Sequence, residues 1–214
     1  MAIARTPRLF SRSLSKVTWD FYGDHNRVYL TFDDGPTPGV TPWVLETLSR
    51  YEAKATFFCL GRNVEKHPDL YRQILSEGHG TGNHGYSHLK GFRSSRKKYL
   101  DDIALASTLI SSNLFRPPYG QILPGQIKSL YTQYHIIMWD VLSIDYNTKS
   151  TGERVLKNVI KHVRPGSIIV FHDSDKASRN LRYALPRTLE FLKENKYVMP
   201  VIPDNGPRDY NVAI

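Results

Sequence analysis

Apolar residues in this chain gather into short, nearly unbroken runs, and the stretches between the runs carry them every three or four positions instead. The runs at 28–32, 55–60, 114–116, 135–139, 167–172 and 197–201, and the small-residue segment at 79–83, read as strands. Several are apolar at consecutive positions, the pattern of parallel strands covered on both faces rather than of a sheet with one wet side. Helical spacing fills most of the gaps. Thr41 followed by Pro42 predicts a helix start with an N-cap and a proline at the first helical position, and Gly78 stops a helix that opens near Pro68. Three more amphipathic stretches lie at 95–113, 152–163 and 185–195. Seven strands with interleaved helices predict an α/β architecture, either a (β/α) barrel or an open doubly wound sheet. Residues 1–25, which include Trp19 and Tyr22, read as an N-terminal extension that packs across a single domain at 26–214.

The length of 214 residues is enough to bury one sizeable core, and no Ser/Gly-rich linker divides it. No apolar run approaches the ~18–20 residues that cross a bilayer. The first residues lack the continuous apolar core of a secretory signal, and Arg12 and Lys16 interrupt the next stretch. A cytoplasmic location is therefore the default expectation, with export by a non-classical route left open. One cysteine, Cys59, excludes an internal disulfide framework, and its apolar setting predicts a buried structural thiol. A formal charge of +9 favours anionic partners: anionic glycans, other anionic polymers, or peripheral contact with a membrane surface. The basic residues Arg5, Arg8, Arg12 and Lys16 and the cluster at 93–98 come with no helix-turn-helix or aromatic RNA-binding signature, so no nucleic-acid partner is expected.

Two motifs carry chemistry. Thr31-Phe32-Asp33-Asp34-Gly35-Pro36 sets adjacent carboxylates at the C-terminal end of a predicted strand, where α/β folds gather catalytic groups, and then turns sharply. Successive residues leaving a strand point in different directions. One carboxylate can hold a metal while the other faces a water, a division of labour that like-charge repulsion would otherwise oppose. Downstream, Asn83-His84-Gly85-Tyr86-Ser87-His88 carries two histidines four apart, which on a helical turn would share a face. Two imidazoles and one carboxylate make an open three-ligand site for a divalent ion: Zn²⁺, Co²⁺ or another.

Together these motifs resemble those of the polysaccharide deacetylases, carbohydrate esterase family 4, which carry the NodB homology domain. The family's first motif is matched without change at 31–36 and its second by His84 and His88. A third stands as Arg116-Pro117-Pro118-Tyr119-Gly120, a fourth as Trp139-Asp140-Val141-Leu142-Ser143-Ile144-Asp145-Tyr146, and a fifth as Ile169-Val170-Phe171-His172-Asp173. The resemblance implies a distorted, incomplete (β/α)7 barrel, NodB-like, in which 26–214 is the catalytic domain. It implies a metal-dependent hydrolase that removes N-acetyl groups from N-acetylhexosamine glycans, peptidoglycan or chitooligosaccharide. Asp34, His84 and His88 would bind one divalent ion, Asp33 would be the general base, and the backbone amide of Tyr119 would face the developing oxyanion. His172 would be the acid for the departing amine with Asp145 as its partner, and Arg116 would keep Asp33 anionic through a two-pronged contact. Pro118 and Tyr119 would shape the sugar groove, and Trp139, Tyr146 and Val170 would wall the acetyl pocket. Three positions depart from the family's habit. Leu142 stands where a second acid is frequent, Tyr146 where tryptophan is frequent, and Val170 where leucine is usual. Hydrolysis of a non-sugar amide or acetyl ester, and a catalytically silent glycan-binding domain, are the alternatives; the intact aspartates and histidines weigh against both.

Overall fold

Three five-residue runs form the centre of the sheet: Tyr29–Asp33 (β2), flanked by Ala55–Cys59 (β3) on one side and Ile168–His172 (β8) on the other. The computed structural model describes residues 16–204. Beyond β3 the sheet continues through Gly80–Asn83 (β4), Leu114–Phe115 (β5), His135–Ile137 (β6) and Val17–Thr18 (β1), and beyond β8 it ends at Val141–Leu142 (β7). All seven pairings between these strands are parallel. The sheet is curled into an incomplete barrel, since Tyr29, Phe58, Leu114, Ile137 and Ile168, from five different strands, meet in one interior cluster. Its two edges, β1 and β7, do not pair with each other.

The pleat decides which residues meet the site. Alternate side chains of a strand face opposite ways, so Thr31 and Asp33 share the inward face of β2 with Tyr29, while Leu30 and Phe32 face outward. Outside, Phe32 stacks on Phe57 and Phe171 with ring centroids 5.0 and 6.0 Å away. Helices Thr41–Arg50 (α1), Gly152–Ile160 (α6) and Asp175–Glu194 (α7) cover this layer with Val44, Leu45, Val155, Leu181 and Leu185. Cys59 is buried here, and burial pushes its thiol pKa well up, as a structural thiol requires. The remaining helices are Gly61–Lys66 (α2), Pro68–Ser76 (α3), Arg96–Ser107 (α4) and Pro124–Leu130 (α5).

Several elements differ from the sequence pattern. The apolar run at 197–201 is not a strand. It crosses beneath the N-terminal ends of β2 and β3, where Val198 and Met199 accept from Val28 and Lys54 backbone amides at 3.0 and 2.9 Å, and the following Ile202 plugs the barrel interior. The helix read at 185–195 begins ten residues earlier and carries Pro186 inside it, and the one read at 95–113 stops at Ser107. Thr41 is not the N-cap of α1. Val40 is, and the Thr41 hydroxyl accepts from Thr37 N at 2.7 Å and donates to Asp173 at 2.5 Å. The two-residue strands β1 and β7 and the short helices α2 and α5 are too brief for periodicity to reveal.

In the segment read as an extension, residues 1–15 lie outside the described residues. Those after them join the sheet: β1 pairs with β6, and Thr18 Oγ1 lies 2.6 Å from His135 Nε2. Arg164 then ties Asp20 to Asp140. Among the described residues no helix is long and apolar enough to cross a membrane.

Candidate active site

Parallel strands deliver their C-terminal ends to one rim, and the candidate groups converge there. Asp33 ends β2 and His172 ends β8, side by side in register; His84 follows β4, Arg116 follows β5, and Asp145 lies beyond β7.

Arg116 is wholly buried. Its Nη1 donates to Asp33 Oδ1 and to Thr31 Oγ1, both at 2.7 Å, while Nη2 and Nε donate to the carbonyls of Met138 and Ile137 at 2.9 and 3.3 Å. The expected two-pronged contact is thus a single one. A buried guanidinium must satisfy donors on every side, and the carbonyls at the end of β6 take the second prong. Asp33 Oδ2 is left facing the site, 3.9 Å from His84 Nε2. Burial pushes the Asp33 pKa upward, but the charges of Arg116, His84 and His172 outweigh it and hold the carboxyl below its ordinary value.

Asp34 has a left-handed backbone, φ 81°. Its Oδ1 is buried with no hydrogen-bond partner among the described residues, 3.3 Å from His88 Nε2 and 3.8 Å from His84 Nε2. His84 Nδ1 donates to the Arg116 carbonyl at 2.7 Å, which turns Nε2 toward Asp34. Burial, then the neighbouring His84, press the His88 pKa down to about 4, so that ring is neutral. The histidines do not share a helical turn. They lie in a loop, and positive φ at Gly85 and His88 (76° and 61°) brings their rings within 5.1 Å. The three candidate ligand atoms lie within 4.8 Å of one another. An orphaned carboxylate oxygen beside the Nε2 atoms of two imidazoles fits a bound cation, and one oxygen with two nitrogens suits zinc or a similar ion.

His172 Nδ1 sits 2.7 Å from Asp145 Oδ1, and its backbone amide donates to Asp145 Oδ2 at 2.8 Å. Burial pushes this imidazolium pKa down, but Asp145, with lesser help from Asp34 and Asp33, raises it to about 9. The ring is therefore charged at neutral pH. Tyr146 meets it edge-on at 4.9 Å, and Tyr119 (φ 59°) lies 4.4 Å from the His88 ring. Pro118 is buried, and Trp139 is half-buried beside Gly120. Val170 is buried one pleat below His172, in register with Leu142, so that both form apolar wall rather than open surface.

Two groups without an assigned role hold the ligand loops. Asp173, fully buried, accepts from Gly35 N at 3.1 Å and from the Thr41 hydroxyl. Gly35 allows this close approach: a Cβ there would lie 2.0 Å from Asp173 Oδ2. Asp102 on α4 accepts from the backbone amides of Tyr86 and Ser87 at 2.9 and 3.1 Å and so fastens the histidine loop. Asp173 had a sequence signal, an acid directly after an apolar strand; Asp102 had none.

A family model for polysaccharide deacetylases matches residues 22–134. The chain belongs to that family. It is 36% identical over 170 residues to a peptidoglycan-N-acetylglucosamine deacetylase of Bacillus cereus, covering 75% of this chain and 62% of that relative. It is 32% identical over 199 residues to a chitooligosaccharide deacetylase of Azorhizobium caulinodans, covering 86% of this chain and 91% of the relative. Among solved structures, the peptidoglycan N-acetylglucosamine deacetylase Bc1960, in complex with an N-hydroxybenzamide, superposes with a TM-score of 0.84 at 30% identity, over 92% of this chain and 95% of that one. The incomplete barrel of this polysaccharide deacetylase is the fold that the resemblance implied.

Proposed function

We propose that this polysaccharide deacetylase is a metal-dependent hydrolase of N-acetyl groups on N-acetylhexosamine glycans, of the peptidoglycan or chitooligosaccharide type. The observation that carries the reading is the orphaned Asp34 Oδ1 facing the Nε2 atoms of His84 and His88, with a paired base and a paired acid on the same rim. Asp34, His84 and His88 would hold the ion. When bound, a divalent ion supplies Lewis acidity toward the acetyl carbonyl and lowers the pKa of water.

The protein's own groups do the rest. Asp33, kept anionic by Arg116, takes a proton from the attacking water at Oδ2 as the C–O bond forms. The backbone amide of Tyr119 faces the oxygen that gains charge. An amide nitrogen leaves poorly as an anion, so His172 gives its Nε2 proton to that nitrogen as the C–N bond breaks, releasing acetate and the free amine. Asp145 holds the Nδ1 proton and so directs the acidic proton to Nε2. Val170, Leu142 and Trp139 supply the apolar wall against which the acetyl methyl would rest, with Tyr146 beside the acid.

Acetate release from peptidoglycan, chitin oligomers and acetylated xylan by zinc-loaded protein tests the reading. Release from an N-acetylated glycan is expected; a loaded, folded protein that releases none from any of the three would overturn it.

A further inference from the structure

The net charge of +9 is not spread along the chain. Residues 90–139 hold seven basic residues against two acidic ones and residues 1–16 hold four against none, while 17–89 and 140–214 together carry 18 of each sign. Of the seven, Arg116 is buried in the candidate site. The other six, Lys90, Arg93, Arg96, Lys97, Lys98 and Lys128, belong to α4, α5 and the loop before α4. These elements are tied to one another. Arg96 donates to the Ser129 hydroxyl of α5 through Nη2 and Nε at 2.7 and 3.0 Å, and Gln126 Nε2 donates to the Gly91 carbonyl at 3.0 Å. Lys16 stands on the same side, with Nζ 3.6 Å from the centroid of Tyr131, the residue that ends α5. Neither acid cancels this charge. Asp101 pairs with Lys97, Asp102 is spent on the amides of the histidine loop, and from 103 to 139 the sequence has no other acid.

Two apolar side chains stand among the cations. Phe92, between Lys90 and Arg93, is 59% exposed, and Leu123, at the start of α5, is 41% exposed. Their loops touch: a Cβ on Gly91 would lie 2.1 Å from the Gln121 carbonyl oxygen, and Gln126 Oε1 accepts from Leu123 N at 2.8 Å. A soluble polyanion would engage the cations and leave both apolar groups in water. A layer of anionic headgroups over acyl chains takes both, since phosphates meet the ammonium and guanidinium groups while the phenyl and isobutyl groups enter the acyl boundary.

We propose that the face formed by α4, α5 and the loop at 90–95 docks on a bilayer that contains anionic phospholipid, with Phe92 and Leu123 entering its interface. Charge and apolar insertion together supply the two signals that stable peripheral attachment needs. Lys90 Nζ lies 4.8 Å from the centroid of the Tyr119 ring, so the docking face borders the rim of the candidate site. The inference concerns where the protein is held and is independent of the deacetylase reading.

The test is flotation of the full chain with vesicles of phosphatidylcholine alone and of phosphatidylcholine mixed with phosphatidylglycerol, at low and at high salt. Wild type should bind the mixed vesicles, ignore the neutral ones, and lose binding as salt rises. Arg93→Gln combined with Lys98→Gln should weaken binding about 25-fold, about fivefold for each cation. Phe92→Ser should weaken it about fivefold or more without a change of charge. Phe92→Trp should keep it, and its emission should shift to the blue on mixed vesicles by more than that of wild type. Thermal unfolding followed alongside shows that each surface variant is folded. Absence of binding to mixed vesicles at low salt would overturn the proposal. Binding that falls with the cations but ignores Phe92→Ser, with no blue shift, would also overturn it and make this face a site for a soluble polyanion. Undiminished binding by the double glutamine variant would place the contact elsewhere in the chain and overturn it too. Acetate is not measured, so none of these outcomes bears on the deacetylase reading.

Discussion

Asp145→Asn should move the alkaline limb of the pH–rate profile down by more than two pH units. The His172 imidazolium titrates at about 9 rather than 6.5, a difference that amounts to about 3 kcal/mol in favour of the charged ring. Burial by itself acts in the opposite direction, so the rise comes from the carboxylate 2.7 Å away, with smaller help from Asp34 and Asp33. Asparagine keeps the shape but removes the charge. The ring's pKa should then fall to about 6.5 or lower, and at pH 7.5 no more than about one ring in ten would carry the acidic proton. The same linkage sets the stability sign. A folded-state pKa raised above the unfolded value stabilises fully below about pH 6.5, and that contribution is lost as pH rises through about 9. Wild type should therefore exceed the variant in unfolding free energy most at pH 6, with the gap closing toward pH 10. The assays are kcat/KM for acetate release from pH 5 to 10 and an NMR titration of the His172 ring. An alkaline limb that stays in place, with an unmoved ring titration, would refute the assignment of His172 as the carboxylate-charged acid.

Asp33→Asn should keep zinc and lose acetate release; loss of zinc here, with retention in Asp34→Asn, would mean that the two carboxylates exchange roles. Gly35→Ala should weaken zinc binding about 10- to 100-fold in chelator competition, because its Cβ cannot coexist with Asp173 and must displace the turn that carries Asp34. An unchanged affinity would show that this turn does not set the ligand. Arg116→Met should cost about 3–5 kcal/mol in thermal or denaturant unfolding, since it leaves Asp33 buried without its cation. A loss below about 1 kcal/mol would mean that water or another donor reaches Asp33. His172→Ala should lower turnover of N-acetyl substrates by roughly 10²–10⁴ and hurt activated aryl acetates less, because an aryloxide leaves without a proton. Equal losses on both would make His172 a positioning residue.

By itself the sequence determined the alternation of strands and helices, the three segments that become β2, β3 and β8, and the candidate residues for the chemistry. Each of those signals is local: a short, nearly unbroken apolar run identifies a strand buried on both sides, and adjacent aspartates after it cannot serve a core. What it misread are features whose cause lies elsewhere in the chain. The run at 197–201 looks like a strand but closes the bottom of the barrel, because the ends of β2 and β3 offer it partners. Thr41 looks like an N-cap but is drawn to Asp173, far along the chain. Only the tertiary structure decided the site's geometry. Asp34, His88, Tyr119 and Ile144, four of the six described non-glycine residues with positive φ, sit in the loops around the rim. Asp and His tolerate that conformation better than most residues, but nothing local favours it at Tyr119 or the β-branched Ile144; packing from neighbouring strands and helices holds it. The same holds for Arg116, whose single prong to Asp33 follows from the carbonyls at the end of β6 that claim its other donors.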